Sequence, residues 1–444
     1  MINKNYLVGA GAVNSKTWIM AAVSVALVAS CAKKEVVLPG EREDLRTLAA
    51  EIENTAPAIS LASQTKNSSW THRIGTQKYR VNNAALSATP SLAWSAPVGK
   101  GNSRKNRITA DPVVVEGRIF TMDSEATLTA TSTGGAMLWT RDLTPARDKA
   151  DNASTGGLAY GEGLLFATTG FGSVRAFDPK TGADVWEQKL QAVGSGTPTV
   201  FGGIVYVVSG DATGWAIDAK TGKVIWQAIS LPNVQNVQSP AAPAVSDRFV
   251  FFPFGSGELQ AAFRRGGVSR WNAGLSDTRP GRASNRVGDI SSDPVVVGSR
   301  LYLANHSGRM VALDTETGER IWTADEGALS PVFPASNSLF FVSDRNRLIR
   351  MDARDGTPIW NIELPYFVKD KPRRQAELHA HYGPIIAGSR LVVASSDEML
   401  RLFDPKSGEQ VYSAEIPGGA ATNPVVANGV LYIVSRKGQL HAFR

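Results

Sequence analysis

Cysteine, histidine and charge are all scarce in this chain of 444 residues, and each scarcity removes a class of function. The single cysteine, Cys31, excludes an intramolecular disulfide. Charged residues make up 20% and the formal net charge is +7, of which Lys4 and Lys16 lie in a leader. The remaining +5, spread over a large surface, is a weak field that points away from nucleic acid as a partner. The five histidines are His72, His306, His379, His381 and His441. His379 and His381 can share one side of an extended segment, but two ligands without a third favour a loop or strand-edge role over a metal. There is no Gly-x-Ser-x-Gly elbow, no P-loop and no calcium-loop cluster of oxygen ligands.

Long apolar runs are also missing. The stretch Trp18 to Ala29 falls short of the roughly 20 residues that span a bilayer. It follows two lysines without an acid and precedes the small residues Ala29 and Ser30, so residues 1–30 read as a signal peptide. Leu27-Val28-Ala29-Ser30-Cys31 resembles a bacterial lipobox, which implies acylation of the Cys31 thiol, cleavage, and acylation of the new amine. An incidental cysteine beside an ordinary cleavage site is the plainer alternative; the only cysteine standing at the only usable position favours the lipobox. Several acyl chains anchor stably where one does not. Ala32 replaces the aspartate that marks inner-membrane retention in many Gram-negative lipoproteins, which implies the periplasmic face of the outer membrane. Residues 31–91 are then expected to form a lipidated tether and entry segment, with a short helix around Arg42 to Asn54.

What is abundant is glycine, 42 residues of it, in a regular pattern that suits a turn-rich all-β chain. One unit recurs: a proline, two apolar strands, Gly-x-apolar-x-Ala-apolar-Asp, then Thr-Gly and a tryptophan. It stands as Gly172 to Asp178, Thr181-Gly182 and Trp186, again as Trp215 to Asp218, Thr221-Gly222 and Trp226, and again as Gly308 to Asp314, Thr317-Gly318 and Trp322. Weaker copies end at Trp139, Trp271, Trp360 and Tyr412. Each unit divides into four strands, as in Leu158–Tyr160, Leu164–Thr168, Ser173–Phe177 and Asp184–Glu187. Asp-x-x-Thr-Gly supplies the last hairpin turn, because the carboxylate accepts local N–H groups and glycine tolerates positive φ. The terminal indole is the apolar body that fills the space against the next unit.

Seven aromatics close seven units, and the C-terminus begins an eighth. Pro424-Val425-Val426, Val430 to Val434 and Gly438 to Phe443 give three strands, after which the chain stops. The missing outer strand stands at Leu92-Ala93-Trp94-Ser95, before the first complete unit. The expected fold is therefore all-β, an eight-bladed propeller over residues 92–444 with four-stranded antiparallel blades, the last closed by an N-terminal strand.

The repeat resembles that of pyrroloquinoline-quinone dehydrogenases, but the vicinal cysteine pair and calcium ligands that accompany the quinone in those enzymes are missing. Lipobox, tether and propeller repeats together resemble the BamB family, lipoprotein subunits of the outer-membrane β-barrel assembly machinery. The resemblance implies a non-enzymatic periplasmic scaffold without a cofactor. It would bind the POTRA domains of the central barrel subunit BamA, meet the membrane through Cys31, and assist or touch unfolded outer-membrane proteins. Another lipid-anchored envelope adaptor is the alternative, and a quinoprotein dehydrogenase a more distant one.

In the family, partner contact uses neighbouring inter-blade loops. A Leu-x-Leu-Arg segment is matched here by Gln235-Asn236-Val237-Gln238 and an Asp-x-Asp segment by Asp289-Ile290-Ser291. The resemblance thus carries partner binding to Gln235, Val237, Gln238, Asp289 and Ser291, with an arginine and an acid lost; ordinary blade connectors are the bland reading. Arg264, Arg265 and Arg270, continuing to Arg279, Arg282 and Arg286, and the insertion Arg373-Arg374 would form an accessory basic surface for an acidic partner or lipid headgroups, or simply keep long loops solvated.

Overall fold

Eight four-stranded antiparallel sheets follow one another along the chain in the computed structural model, which describes residues 54–154, 156–192, 196–231, 241–275 and 288–444. The cleavage region, Cys31 and nearly all of the helix expected at 42–54 lie outside those residues. Blade 1 comprises Val113–Val115, Arg118–Met122, Thr127–Ser132 and Met137–Asp142, and the innermost strands of blades 2 to 8 begin at Leu158, Thr199, Ala244, Val295, Phe333, His381 and Val425. Sequence pattern explains the order within a blade. Second strands such as Ile204–Ser209 and Ser338–Val342 are buried throughout and read as continuous apolar runs. Outermost strands such as Asp184–Lys189 alternate, with Trp186 turned inward and Val185 and Glu187 outward.

The tryptophans lock each blade to the next. The indole N–H of Trp186 donates to the Ala219 carbonyl at 3.0 Å, inside the Asp-x-x-Thr-Gly turn of the following blade. Trp139, Trp226, Trp271, Trp322 and Trp360 repeat this with Pro179, Arg264, Thr315, Ala353 and Lys406. The turn glycine lies under the ring: a Cβ on Gly222 would come within 2.7 Å of Trp186. That glycine therefore serves both a φ of +72° and a close approach.

Ring closure follows the expected route. Leu92–Pro97 pairs antiparallel with Gln439–Phe443, and Ser91 and Arg444 exchange both backbone hydrogen bonds. Trp94 takes the place of the eighth closing aromatic, against Gly135 of blade 1. Blade 8 has no turn between its third and fourth strands, because they come from opposite ends of the chain. At that junction the closing aromatic of blade 7 is Tyr412, whose hydroxyl donates to the Pro90 carbonyl at 3.2 Å.

The segment before this strand departs from expectation. Of the residues expected as tether and entry segment, 54–91 pack onto the ring, with Trp70 1% exposed, His72 3% and Ala84 0%. The direction of the closing strand explains where. In each blade the first-to-second and third-to-fourth strand turns share one face, here the turn face, while the second-to-third turns and the blade-to-blade connections share the other, the connection face. An outermost strand must begin at the turn face, so the segment that feeds Leu92 lies there. Asn54 donates to Ser407 in the outer turn of blade 7, and the chain then crosses the mouth of the channel.

Candidate functional site

The channel is filled by this crossing. Trp70 exchanges both backbone bonds with Val114 of blade 1, Thr71 accepts from Tyr160 of blade 2, and Ala84 donates to Ile386 of blade 7. His72 is buried against blade 3. Its Nε2 accepts from the Val200 N–H at 3.0 Å, which leaves the proton on Nδ1, 2.9 Å from Thr71 Oγ1. Burial lowers its pKa from 6.5 to about 3.

Deeper in the channel, at the heads of the inner strands, Arg73 lies 3.2 Å from Asp111 of blade 1 and 3.4 Å from Asp293 of blade 5. Burial opposes the guanidinium charge, but Asp293 and Asp111 outweigh it and raise the pKa above its ordinary value. Burial likewise raises Asp111, against the pull of Arg73. A polar web spreads from this point. Asn423 of blade 8 donates twice to Asp111 and accepts from Gly383 of blade 7 and Ser330 of blade 6, and Asp293 accepts from the Ala242 N–H of blade 4. Arg80, lowered to about 9 mainly by burial, donates to the Pro331 and Pro384 carbonyls and lies over Phe333. Six blades are thus joined through one inserted guanidinium.

The residues expected to meet a partner divide. Gln235, Val237 and Gln238 lie outside the described residues, as do Arg279, Arg282 and Arg286. Asp289 and Ser291 stand in the connection from blade 4 to blade 5 but are only 3% and 8% exposed, and Ser291 Oγ donates to the Ala328 carbonyl. A molecule docking there would meet the surface around these two side chains rather than the side chains themselves. The basic residues do not share a face. Arg264 and Arg265 occupy the outer turn of blade 4, where Arg264 holds the Asp247 carbonyl and covers Phe201, and Arg270 nearby donates to Glu316. Arg373 and Arg374 are exposed on the connection between blades 6 and 7, the opposite face. Alternating strand direction separates what the sequence suggested as one patch. His381 spends both ring nitrogens on Ser395 and Pro365, as a strand-edge histidine does.

The family profile for outer membrane protein assembly factor BamB matches residues 124–362 and 370–444. This chain belongs to that family. The assembly factor BamB of Shewanella oneidensis is 26% identical over 369 residues, covering 80% of this chain and 90% of the relative. That of Escherichia coli is 22% identical over 337 residues, covering 64% and 83%. Among solved structures, BamB from Moraxella catarrhalis superposes with a TM-score of 0.65 at 19% identity, covering 80% of this chain and all of that one. The quinohemoprotein alcohol dehydrogenase of Comamonas testosteroni gives 0.64 at 14%, covering 85% and 81%. The two scores establish the propeller and do not separate assembly factors from dehydrogenases.

The channel bears on whether a quinone would fit. A planar quinone on the axis of this BamB-family ring would have to displace Arg73 and its buried ion pairs, so the residues present do not fit that group. Among the described residues there is also no group of three or more histidine, cysteine or acidic side chains placed to hold a metal ion.

Two residues that the sequence reading passed over stand out on the connection face. Ile229 and Leu231, where blade 3 hands over to blade 4, are 78% and 77% exposed. The signal was available in the repeat. Three residues after the closing aromatic, the other blades carry Asp142, Lys189, Gly274, Asp325, Glu363, Glu415 and, after Trp94, Pro97; only blade 3 has a large aliphatic side chain there, Ile229. An outward isoleucine where most blades place charge costs solubility without adding to the core.

Proposed function

We propose that this protein is a non-enzymatic periplasmic scaffold of outer-membrane protein assembly, anchored through acylated Cys31 and docking POTRA domains of a BamA-like barrel protein on its connection face. Family membership supports the assembly role. The exposed pair Ile229 and Leu231 carries the choice of surface: it borders the segment containing Gln235, Val237 and Gln238, and the connection bearing Asp289 and Ser291 joins the next two blades on the same face. Interface cores are built from such apolar anchors ringed by polar residues. Asn54, the first described residue, bonds to Ser407 on the turn face, the face opposite this surface.

The test is co-purification from detergent-solubilised outer membranes of a Gram-negative host. The wild-type chain should bring down the BamA-like protein, and Ile229→Ser with Leu231→Ser should reduce recovery about tenfold or more while the melting temperature holds. Undiminished recovery would move the surface elsewhere. Recovery without any barrel protein under conditions that preserve the complex would favour another envelope adaptor.

A further inference from the structure

The inner edges of the ring are not all used. In blade 1 the middle residue of the innermost strand, Val114, turns its N–H and C=O toward the channel and gives both to Trp70. The same register places Tyr160, Val200, Val245, Val296, Pro334, Ile386 and Val426 at that position in the other blades. Tyr160, Val200, Ile386 and Val426 also bond to the N-terminal segment, through Thr71, His72, Ala84 and Asn67. Val245 is buried and Pro334 has no N–H. Val296 of blade 5 is half-buried, and among the described residues it makes no hydrogen bond outside its own sheet.

Val296 opens into a groove of about 380 Å³ on the turn face, between the N-terminal segment and blades 5 and 6. Leu61 and Tyr79 form one wall, Val297, Pro334 and Ala335 the other. Val297 and Tyr79 are 48% and 61% exposed. A strand edge with one N–H and one C=O unsatisfied, flanked by apolar walls, is matched by an extended chain with apolar side chains at alternate positions.

We infer that this groove binds an extended polypeptide segment by strand addition to Val296. The occupant's class follows from the ring itself, whose other inner edges are met by extended chain at Trp70 and Ala84. An apolar small molecule would fill the walls and leave the backbone pair unmet. The groove lies on the face opposite Ile229 and Asp289, so it is independent of the docking surface proposed above and fails or stands separately.

The probe is a short fluorescein-labelled peptide alternating valine and threonine, titrated by anisotropy against the full chain in lipid nanodiscs, with empty nanodiscs as the blank. Saturable binding is expected. Val296→Pro removes the channel-facing N–H in a strand position where blade 6 already carries Pro334, and it should weaken binding about tenfold with the melting temperature unchanged. Methylating alternate backbone nitrogens of the peptide should do the same against the unaltered protein, which covers a misfolded variant. Ala335→Trp should block the groove. Absence of saturable binding overturns the proposal, as does equal binding by both variants. Loss with Ala335→Trp but not with Val296→Pro or the methylated peptide also overturns it, assigning the groove to an apolar ligand without strand pairing.

Discussion

Asp111 and Asp293 head the inner strands of blades 1 and 5, opposite members of an eight-membered ring, and share one counter-ion, the guanidinium of Arg73. Arg73 belongs to neither blade. It is carried in from the N-terminal segment, so the centre of the propeller is electrostatically complete only with that segment in place.

Arg73→Met keeps much of the side-chain volume and takes from two buried carboxylates their ion-pair partner, leaving only the more distant Arg80. The expected loss is about 3–5 kcal/mol, the cost of uncompensated buried charge. Adding Asp293→Asn should restore part of it, because one of the two charges is then gone. Denaturant unfolding of the three variants checks this; equal stability of Arg73→Met and wild type would sink the assignment.

His72 makes the same packing pH-dependent. In the folded protein the ring stays neutral until about pH 3, whereas the unfolded ring protonates from 6.5 downward. Between those values the unfolded state holds the extra proton, so stability falls as pH falls, by up to about 1.4 kcal/mol per pH unit. His381 and His441 are also lowered by burial and contribute equally to any variant compared. His72→Gln keeps an acceptor for the Val200 N–H and should flatten the curve by that one slope. Parallel curves for the two proteins between pH 6.5 and 4 would contradict it.

The ring was legible in the sequence because every blade repeats one local solution, the Asp-x-x-Thr-Gly turn receiving an indole, and repetition raises a weak motif to a strong one. Even the exception was written there, since Tyr412 stands where Pro90 replaces the turn. The channel filling was not legible. Trp70, His72, Arg73 and Arg80 occur once each in a stretch without periodicity, and their partners lie up to 312 residues away from one another in the web they complete. Ile229 lay between these cases: visible as a break in the repeat, yet weightless until its exposure was known.

Two glycines separate backbone strain from packing. Gly117 and Gly222 have φ of +73° and +72°, but a Cβ on Gly117 meets nothing within 4 Å, and one on Gly222 meets Trp186 at 2.7 Å. Gly117→Ala should cost about 1 kcal/mol from conformation alone. Gly222→Ala should cost about 1–3 kcal/mol more, from overpacking the indole. Thermal unfolding of the pair measures the difference; equal losses would mean that the indole simply shifts.

Closure and the proposed anchor involve different residues, Leu92 to Ser95 and Cys31, so they can be tested one at a time. Deleting Leu92 to Ser95 removes the strand paired with Gln439–Phe443 and takes Trp94 from Gly135, opening both an edge of blade 8 and the junction to blade 1. The melting temperature should fall by well over the roughly 2 °C expected of a 1 kcal/mol change in a domain of this size. Cys31→Ser, which touches none of the described packing, should leave that temperature where it was and move the protein from the membrane fraction to the soluble periplasm. A membrane-bound Cys31→Ser protein would remove the lipid anchor from the proposal while leaving the ring intact. An unchanged melting temperature after the deletion would instead mean that the channel-filling segment holds the ring closed without its eighth outer strand.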